Sequence, residues 1–145
     1  MSKLFCPLAF LAVLAAVQPG LAGETVAGPV EARMLKVIDG DSVLAEARIW
    51  PGHAVTVSVR VRGVDAPELR GRCVREKAAA RRARDSLAGF LEGGRIMLTN
   101  ISGGKYYGRV LADLARPDGK AVSAFLLENG LARPYGGGRR QDWCR

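Results

Sequence analysis

Ala54-Val55-Thr56-Val57-Ser58-Val59-Arg60-Val61-Arg62-Gly63-Val64 has the clearest period in the chain. Val55, Val57, Val59 and Val61 fall on one side of an extended backbone, and Thr56, Ser58, Arg60 and Arg62 fall on the other. Strict alternation built on β-branched side chains marks a half-buried strand. Two further extended stretches precede it, residues 30–38 and 42–49. Asp39-Gly40-Asp41 turns the chain between them, and Pro51-Gly52 makes the next turn. These three strands predict a meander. After a loop at 65–72, which Pro67 keeps from becoming helix, the period changes. Cys73, Ala80, Ala83, Leu87 and Phe90 recur at helical spacing, with Arg75, Arg81, Arg82, Arg84 and Asp85 largely between them. Gly93-Gly94 stops that helix. Residues 95–99 and 107–115 read as two more strands, separated by Ser102-Gly103-Gly104. Asp118-Gly119 turns again, and residues 122–128 form a short helix closed by Asn129-Gly130. The order β-β-β-α-β-β-α, mainly β with helices, matches the five-stranded oligonucleotide/oligosaccharide-binding barrel, the OB fold. An unrelated α+β sheet would share that order, and either fold supports a binding module as readily as an enzyme.

The 145 residues suggest one domain, and 48% hydrophobic with 25% charged residues suits a folded soluble protein. Residues 1–22 differ in kind. Met1-Ser2-Lys3 is a short positive start, residues 4–17 are almost wholly apolar, and Gln18-Pro19-Gly20 breaks the run. Gly20-Leu21-Ala22 then offers small residues where a signal peptidase reads, and cleavage after Ala22 or Gly23 fits. The apolar run is short for a permanent membrane anchor. Residues 23–29 read as a linker and 30–145 as the domain. The mature protein is expected to be exported, to a periplasm or beyond, as a monomer. Lys3 is the one charged residue in 1–22, so the formal charge falls from +8 to +7 on cleavage. A basic domain of this size attracts polyanions, which include nucleic acids but also anionic lipids and envelope polymers. Of the three cysteines, Cys6 leaves with the signal, and Cys73 and Cys144 remain to pair as a disulfide in an oxidising compartment. Zinc is a poor fit, since there is no CxxC and a single His.

Three turns carry clustered charge. Asp39-Gly40-Asp41 alone is an ordinary hairpin turn. In Val64-Asp65-Ala66-Pro67-Glu68 an acid ends a buried strand, and a second follows on a Pro-stiffened loop. Tyr107-Gly108-Arg109 opens a strand, with Gly108 permitting close backbone approach. Carboxylates without His or Cys beside them suit a hard cation such as Ca²⁺ or Mg²⁺. Arginines suit a phosphodiester, because a guanidinium donates two parallel hydrogen bonds and never loses its charge. A remaining carboxylate can orient or deprotonate water.

Val37-Ile38-Asp39-Gly40-Asp41-Ser42, Arg60-Val61-Arg62-Gly63-Val64-Asp65-Ala66-Pro67-Glu68 and Tyr107-Gly108-Arg109-Val110-Leu111-Ala112 together resemble the successive signatures of the staphylococcal nuclease (thermonuclease) family. The resemblance continues through Asp118-Gly119-Lys120 and Glu128-Asn129-Gly130-Leu131-Ala132. Each signature alone is weak; all of them in order are specific. The resemblance implies a Ca²⁺-dependent endonuclease of DNA and RNA, favouring single strands and leaving 3′-phosphates. Asp41 and Asp65 would be carboxylate ligands of Ca²⁺, and Ala66 would offer its backbone carbonyl, so Ala in place of the family's Thr should be harmless. Glu68 would act on the attacking water as general base or orienter. Arg60 and Arg109 would grip the scissile phosphate, so that replacing either by Ala should leave the fold intact. Asp39 would shape the turn or lie in an outer shell.

The chain also departs from the family. The loop after Glu68 is short and lacks the family's phosphate-contacting lysine, with Arg70 and Arg72 as substitutes. The tyrosine-rich segment after Gly-Leu-Ala is replaced by Arg133-Pro134-Tyr135-Gly136-Gly137-Gly138, leaving Tyr107 and Tyr135 as candidates for base stacking. The C-terminal helix of the type member is missing; Trp143 covering the barrel and Cys144 tied to Cys73 would take its place. The rival reading is a non-catalytic OB module that binds nucleic acid or another polyanion.

Overall fold

The computed structural model describes residues 23–145; the expected signal segment lies outside them. The elements in chain order are β1 (Thr25–Val26), β2 (Val30–Asp39), β3 (Ser42–Trp50), β4 (His53–Val61), β5 (Val64–Asp65), α1 (Val74–Phe90), β6 (Arg95–Gly103), β7 (Arg109–Ala115), α2 (Val122–Glu128) and β8 (Arg133–Pro134). Strands β2, β3 and β4 form the antiparallel meander that the alternation predicts. β4 then pairs in parallel with β7, β7 pairs antiparallel with β6, and β6 returns antiparallel to β2. That circuit closes a five-stranded barrel. Closure leaves those five strands without a free edge to recruit other chains. The short β1, within the stretch read as a linker, adds to β6 through Val26 and Ile101.

The valine alternation fills the barrel. Val59 and Val61 are fully buried with Val43, Ile96 and Leu98, whereas Val55 near the hairpin tip is exposed. Each fully buried aliphatic side chain contributes roughly 1.5–3 kcal/mol of transfer free energy. Helix α1 closes over the barrel with Leu87, and Phe90 stacks on Phe125 of α2 with ring centroids 4.1 Å apart. Small residues bring the helix close to the turn before β3. A Cβ at Gly40 would lie 2.6 Å from the Ala83 methyl carbon, so only glycine fits between that turn and the helix.

Apart from shifts of a single residue, the boundaries differ from expectation around β4 and β5, β6 and β7. The strand read as 54–64 ends at Val61, because Gly63 takes a left-handed conformation (φ +81°). Its last part becomes the separate strand β5, paired with β8 in the tail, which the sequence reading left irregular. β6 runs on to Gly103 through an irregularity between Thr99 and Ser102, where Asn100 has φ +49°. β7 starts at Arg109 instead of Tyr107, since Gly108 at φ +77° completes a turn in which the Arg109 N–H donates to the Tyr106 carbonyl.

Cys73 and Cys144 form a disulfide across 71 positions, with their Cα atoms 6.0 Å apart. Cys73 also caps α1, its sulfur accepting from the Glu76 N–H. Replacing both cysteines by serine should lower stability by about 2–4 kcal/mol, since a loop this long confines the unfolded chain strongly. Urea denaturation of the oxidised protein and the double variant reads that difference, and coincident curves would show the bond to be without thermodynamic effect.

Candidate active site

The charged turns converge because the meander sets Ser42 opposite Arg60 and the parallel pairing sets Arg109 opposite Ser58. Asp41 is 3% exposed and Asp65 2%. Such buried carboxylates need partners. The Arg60 guanidinium lies between them, donating to Asp41 Oδ1 at 3.1 Å and to Asp65 Oδ1 at 3.3 Å. Asp41 further accepts from the Ser42 hydroxyl at 2.9 Å and, through Oδ2, from the Ala66 N–H at 2.9 Å. The turn before β3 and the loop after β5 are thereby locked together. Arg60 is thus a structural bridge as well as a candidate phosphate ligand, so its loss is expected to cost stability as well as activity.

Arg109 is differently placed. Its Nη2 donates to the Ser42 hydroxyl at 3.1 Å, and its buried Nε has no partner among the described residues. A guanidinium has five N–H donors, so most of this one remains to be spent on an anion. Arg60, Arg109, Lys105 and Tyr135 line one hollow with the Gly103-Gly104 backbone. Tyr135 folds back, donating to the Gly138 carbonyl at 2.7 Å, while Tyr107 is wholly exposed. Arg70 lines a separate hollow with Asp39 and Glu68; the Arg72 side chain points largely into solvent, 3.9 Å from Asp142. Burial raises the Asp39 carboxyl above its ordinary pKa, and the nearby charges of Asp41 and Glu68 add to that effect.

Two further residues of the candidate site carry no clear cue in the sequence. Glu76, on the first turn of α1, is buried and accepts from the Arg72 N–H at 3.0 Å and the Glu68 N–H at 3.4 Å. It therefore holds the loop that carries Glu68. The cue was its position, three residues after a capping residue. Cys73, Glu76 and Cys144 also bring three ligand-type atoms within 4.8 Å of one another, but both sulfurs are spent in the disulfide. The second residue is Arg140 in the glycine-rich tail. Its Nε donates to Asp65 Oδ1 at 2.6 Å, its Nη2 to the Ala66 carbonyl at 2.7 Å and its Nη1 to Glu68 Oε1. Burial works against its charge, yet the hydrogen bonds and charges of Asp65 and Glu68 outweigh that and raise its pKa further. Its cue was weak: one of two adjacent arginines in a tail that reads merely as basic. Trp143 does not cover the barrel as expected. Its indole N–H faces Asp65 Oδ2 at 3.4 Å, and the Arg133 guanidinium lies 3.9 Å from its ring centroid.

The chain is 28% identical over 123 residues to the succinoglycan biosynthesis protein ExoI of Rhizobium meliloti (strain 1021), an alignment covering 78% of this chain and 64% of that protein. The family model described as staphylococcal nuclease homologue matches residues 58–142. That span takes in Arg60, Asp65, Glu68, Arg109 and the tail with Arg140, and the barrel around it is the one the family resemblance implied. By this match over more than half its length, and by its five-stranded barrel, the chain belongs to the staphylococcal nuclease homologue family.

Proposed function

We propose that this protein is an exported, Ca²⁺-dependent endonuclease that hydrolyses phosphodiester bonds of DNA and RNA, favours single strands and leaves 3′-phosphates. The observation that carries the reading is the pairing of two buried carboxylates, Asp41 and Asp65, with two guanidiniums on adjacent strands, one of which, Arg109, spends a single donor on Ser42 and keeps the rest. Export to a periplasm or to the exterior is supported by the build of residues 1–22 and by the disulfide.

Each residue has a task in this reading. Arg109 and Arg60 bind the phosphate and meet the charge that grows on its oxygens, as a preorganised guanidinium does at low solvent cost. Glu68 orients water or takes its proton, and Glu76 fixes the loop on which Glu68 sits. Asp41, Asp65 and the Ala66 carbonyl are hard oxygen donors of the type Ca²⁺ takes. Their fit to a cation is supported by Arg140, a positive group that already draws together Asp65, Ala66 and Glu68. Bound there, Ca²⁺ would supply positive charge beside the phosphate oxygens. Lys105, Arg70 and Arg72 extend the basic surface, so binding should weaken with salt and show little sequence preference.

The rival reading, a non-catalytic polyanion-binding barrel, is favoured by the same Arg140 contact, which engages Asp65 and Glu68. Digestion of single-stranded DNA by the mature protein with Ca²⁺, and then with a chelator in excess, separates the two. Cleavage that stops on chelation is the expected result. Retardation of the DNA in a gel without cleavage, at any Ca²⁺ concentration, would replace the enzyme by the binding module.

A further inference from the structure

The tail that carries Arg140 is anchored on both sides of it. Upstream, Arg133 and Pro134 pair with Asp65 and Val64 as β8 on β5. Downstream, Cys144 is bonded to Cys73 at the start of α1, and the indole N–H of Trp143 faces Asp65. Between the anchors, Gly137 and Gly138 take positive φ and let the chain turn back towards the site. Arg133 stacks on Trp143 and donates to the Asp142 carbonyl at 3.0 Å, which braces the returning segment. Arg140 is thus presented to the carboxylates intramolecularly, at a high effective concentration.

Its three acceptors are Asp65 Oδ1, the Ala66 carbonyl and Glu68 Oε1. The first two are oxygens that the calcium reading gives to the metal, and the third belongs to the carboxylate it gives to water; one carboxylate oxygen cannot turn its lone pairs to both cations without loss. We propose that Arg140 is an internal cation that competes with Ca²⁺ for this cluster and so sets the calcium affinity of the site. The proposal rests on the calcium reading above. Loading of the metal requires the guanidinium to withdraw, and the disulfide at Cys144 limits how far the tail can go. A site whose binding-competent form is populated at one part in ten to one part in a hundred shows an apparent Kd about 10- to 100-fold weaker than its intrinsic one.

Calorimetric titration of Ca²⁺ into the full mature chain and into Arg140→Gln tests this directly. The variant should bind Ca²⁺ about 10- to 100-fold more tightly, the occupancy penalty having been removed. Arg140→Lys, which keeps the charge but contacts fewer acceptors at once, should fall between the two and serves if the glutamine variant does not fold. A second readout follows the tail itself. In a Trp50→Phe background Trp143 is the remaining tryptophan, and its emission should move to longer wavelength as Ca²⁺ drives Arg140 and its neighbours away from Asp65. Equal or weaker Ca²⁺ affinity in Arg140→Gln, with binding intact in the parent, would overturn the competition while leaving the calcium site standing. Absence of Ca²⁺ binding in both chains at millimolar concentration would overturn the calcium reading and the proposal together.

Discussion

Arg109→Ala is expected to lower turnover on single-stranded DNA about 10²- to 10³-fold, the scale of losing one preorganised transition-state donor. The fold should survive the change. Arg109 spends one hydrogen bond on the Ser42 hydroxyl and makes no ion pair among the described residues, so its removal leaves no buried carboxylate exposed to its own charge. Ser42 keeps its bond to Asp41. Initial rates with saturating Ca²⁺, read beside a thermal melt, give both halves of the prediction. Wild-type turnover in a well-folded Arg109→Ala protein would remove this residue from the chemistry and leave the phosphate grip unassigned.

Arg60→Ala should behave otherwise, losing about 3 kcal/mol of stability in calcium-free buffer. Removing one partner of a buried ion pair typically costs 3–5 kcal/mol, because the remaining charge stays desolvated and uncompensated. Here two carboxylates, with side chains 4% and 3% exposed, lose their shared partner at once. The lower end applies because Arg140 still holds Asp65, and the Ala66 N–H still holds Asp41. Arg60→Lys should recover only part of the loss, since one ammonium cannot span both acids as a planar fork does. Urea midpoints at unchanged m-value give the comparison. An Arg60→Ala protein as stable as the parent would mean that Asp41 and Asp65 are accommodated without it.

The barrel was legible because its signals are local. Alternating valines in β4, the switch to helical spacing at Cys73 and the glycine turns each declare themselves within a few residues. The candidate site was legible only in part. Asp41, Arg60, Asp65, Glu68 and Arg109 sit in short motifs beside strand ends, and strand pairing brings most of them together without further information. Arg140 has no such context. It reaches Asp65 only because β5 pairs with β8 and a disulfide closes the tail, and neither its spacing nor its neighbours announce a buried contact. The same long-range pairing explains why β5 was read as the end of β4: the break at Gly63 matters only once Arg133 is there to pair with Asp65. Trp143 was misplaced for a related reason, since a tryptophan near a chain end suits a barrel cover as well as it suits an indole donor to a carboxylate.

The parallel pairing of β4 with β7 has a further consequence, which concerns the order of events during folding. The β3–β4 hairpin can form from neighbouring residues, and with it Asp41 and Arg60 meet early. Arg109 joins them only when Ser58 finds Arg109 across the intervening β5, α1 and β6, a closure between distant parts of the chain of the kind that slows folding. A chain caught before that step would hold half of its charge constellation and lack the second guanidinium. Completion of the candidate site therefore coincides with completion of the barrel, and a partly folded molecule would lack the paired guanidiniums that the proposed phosphate grip requires.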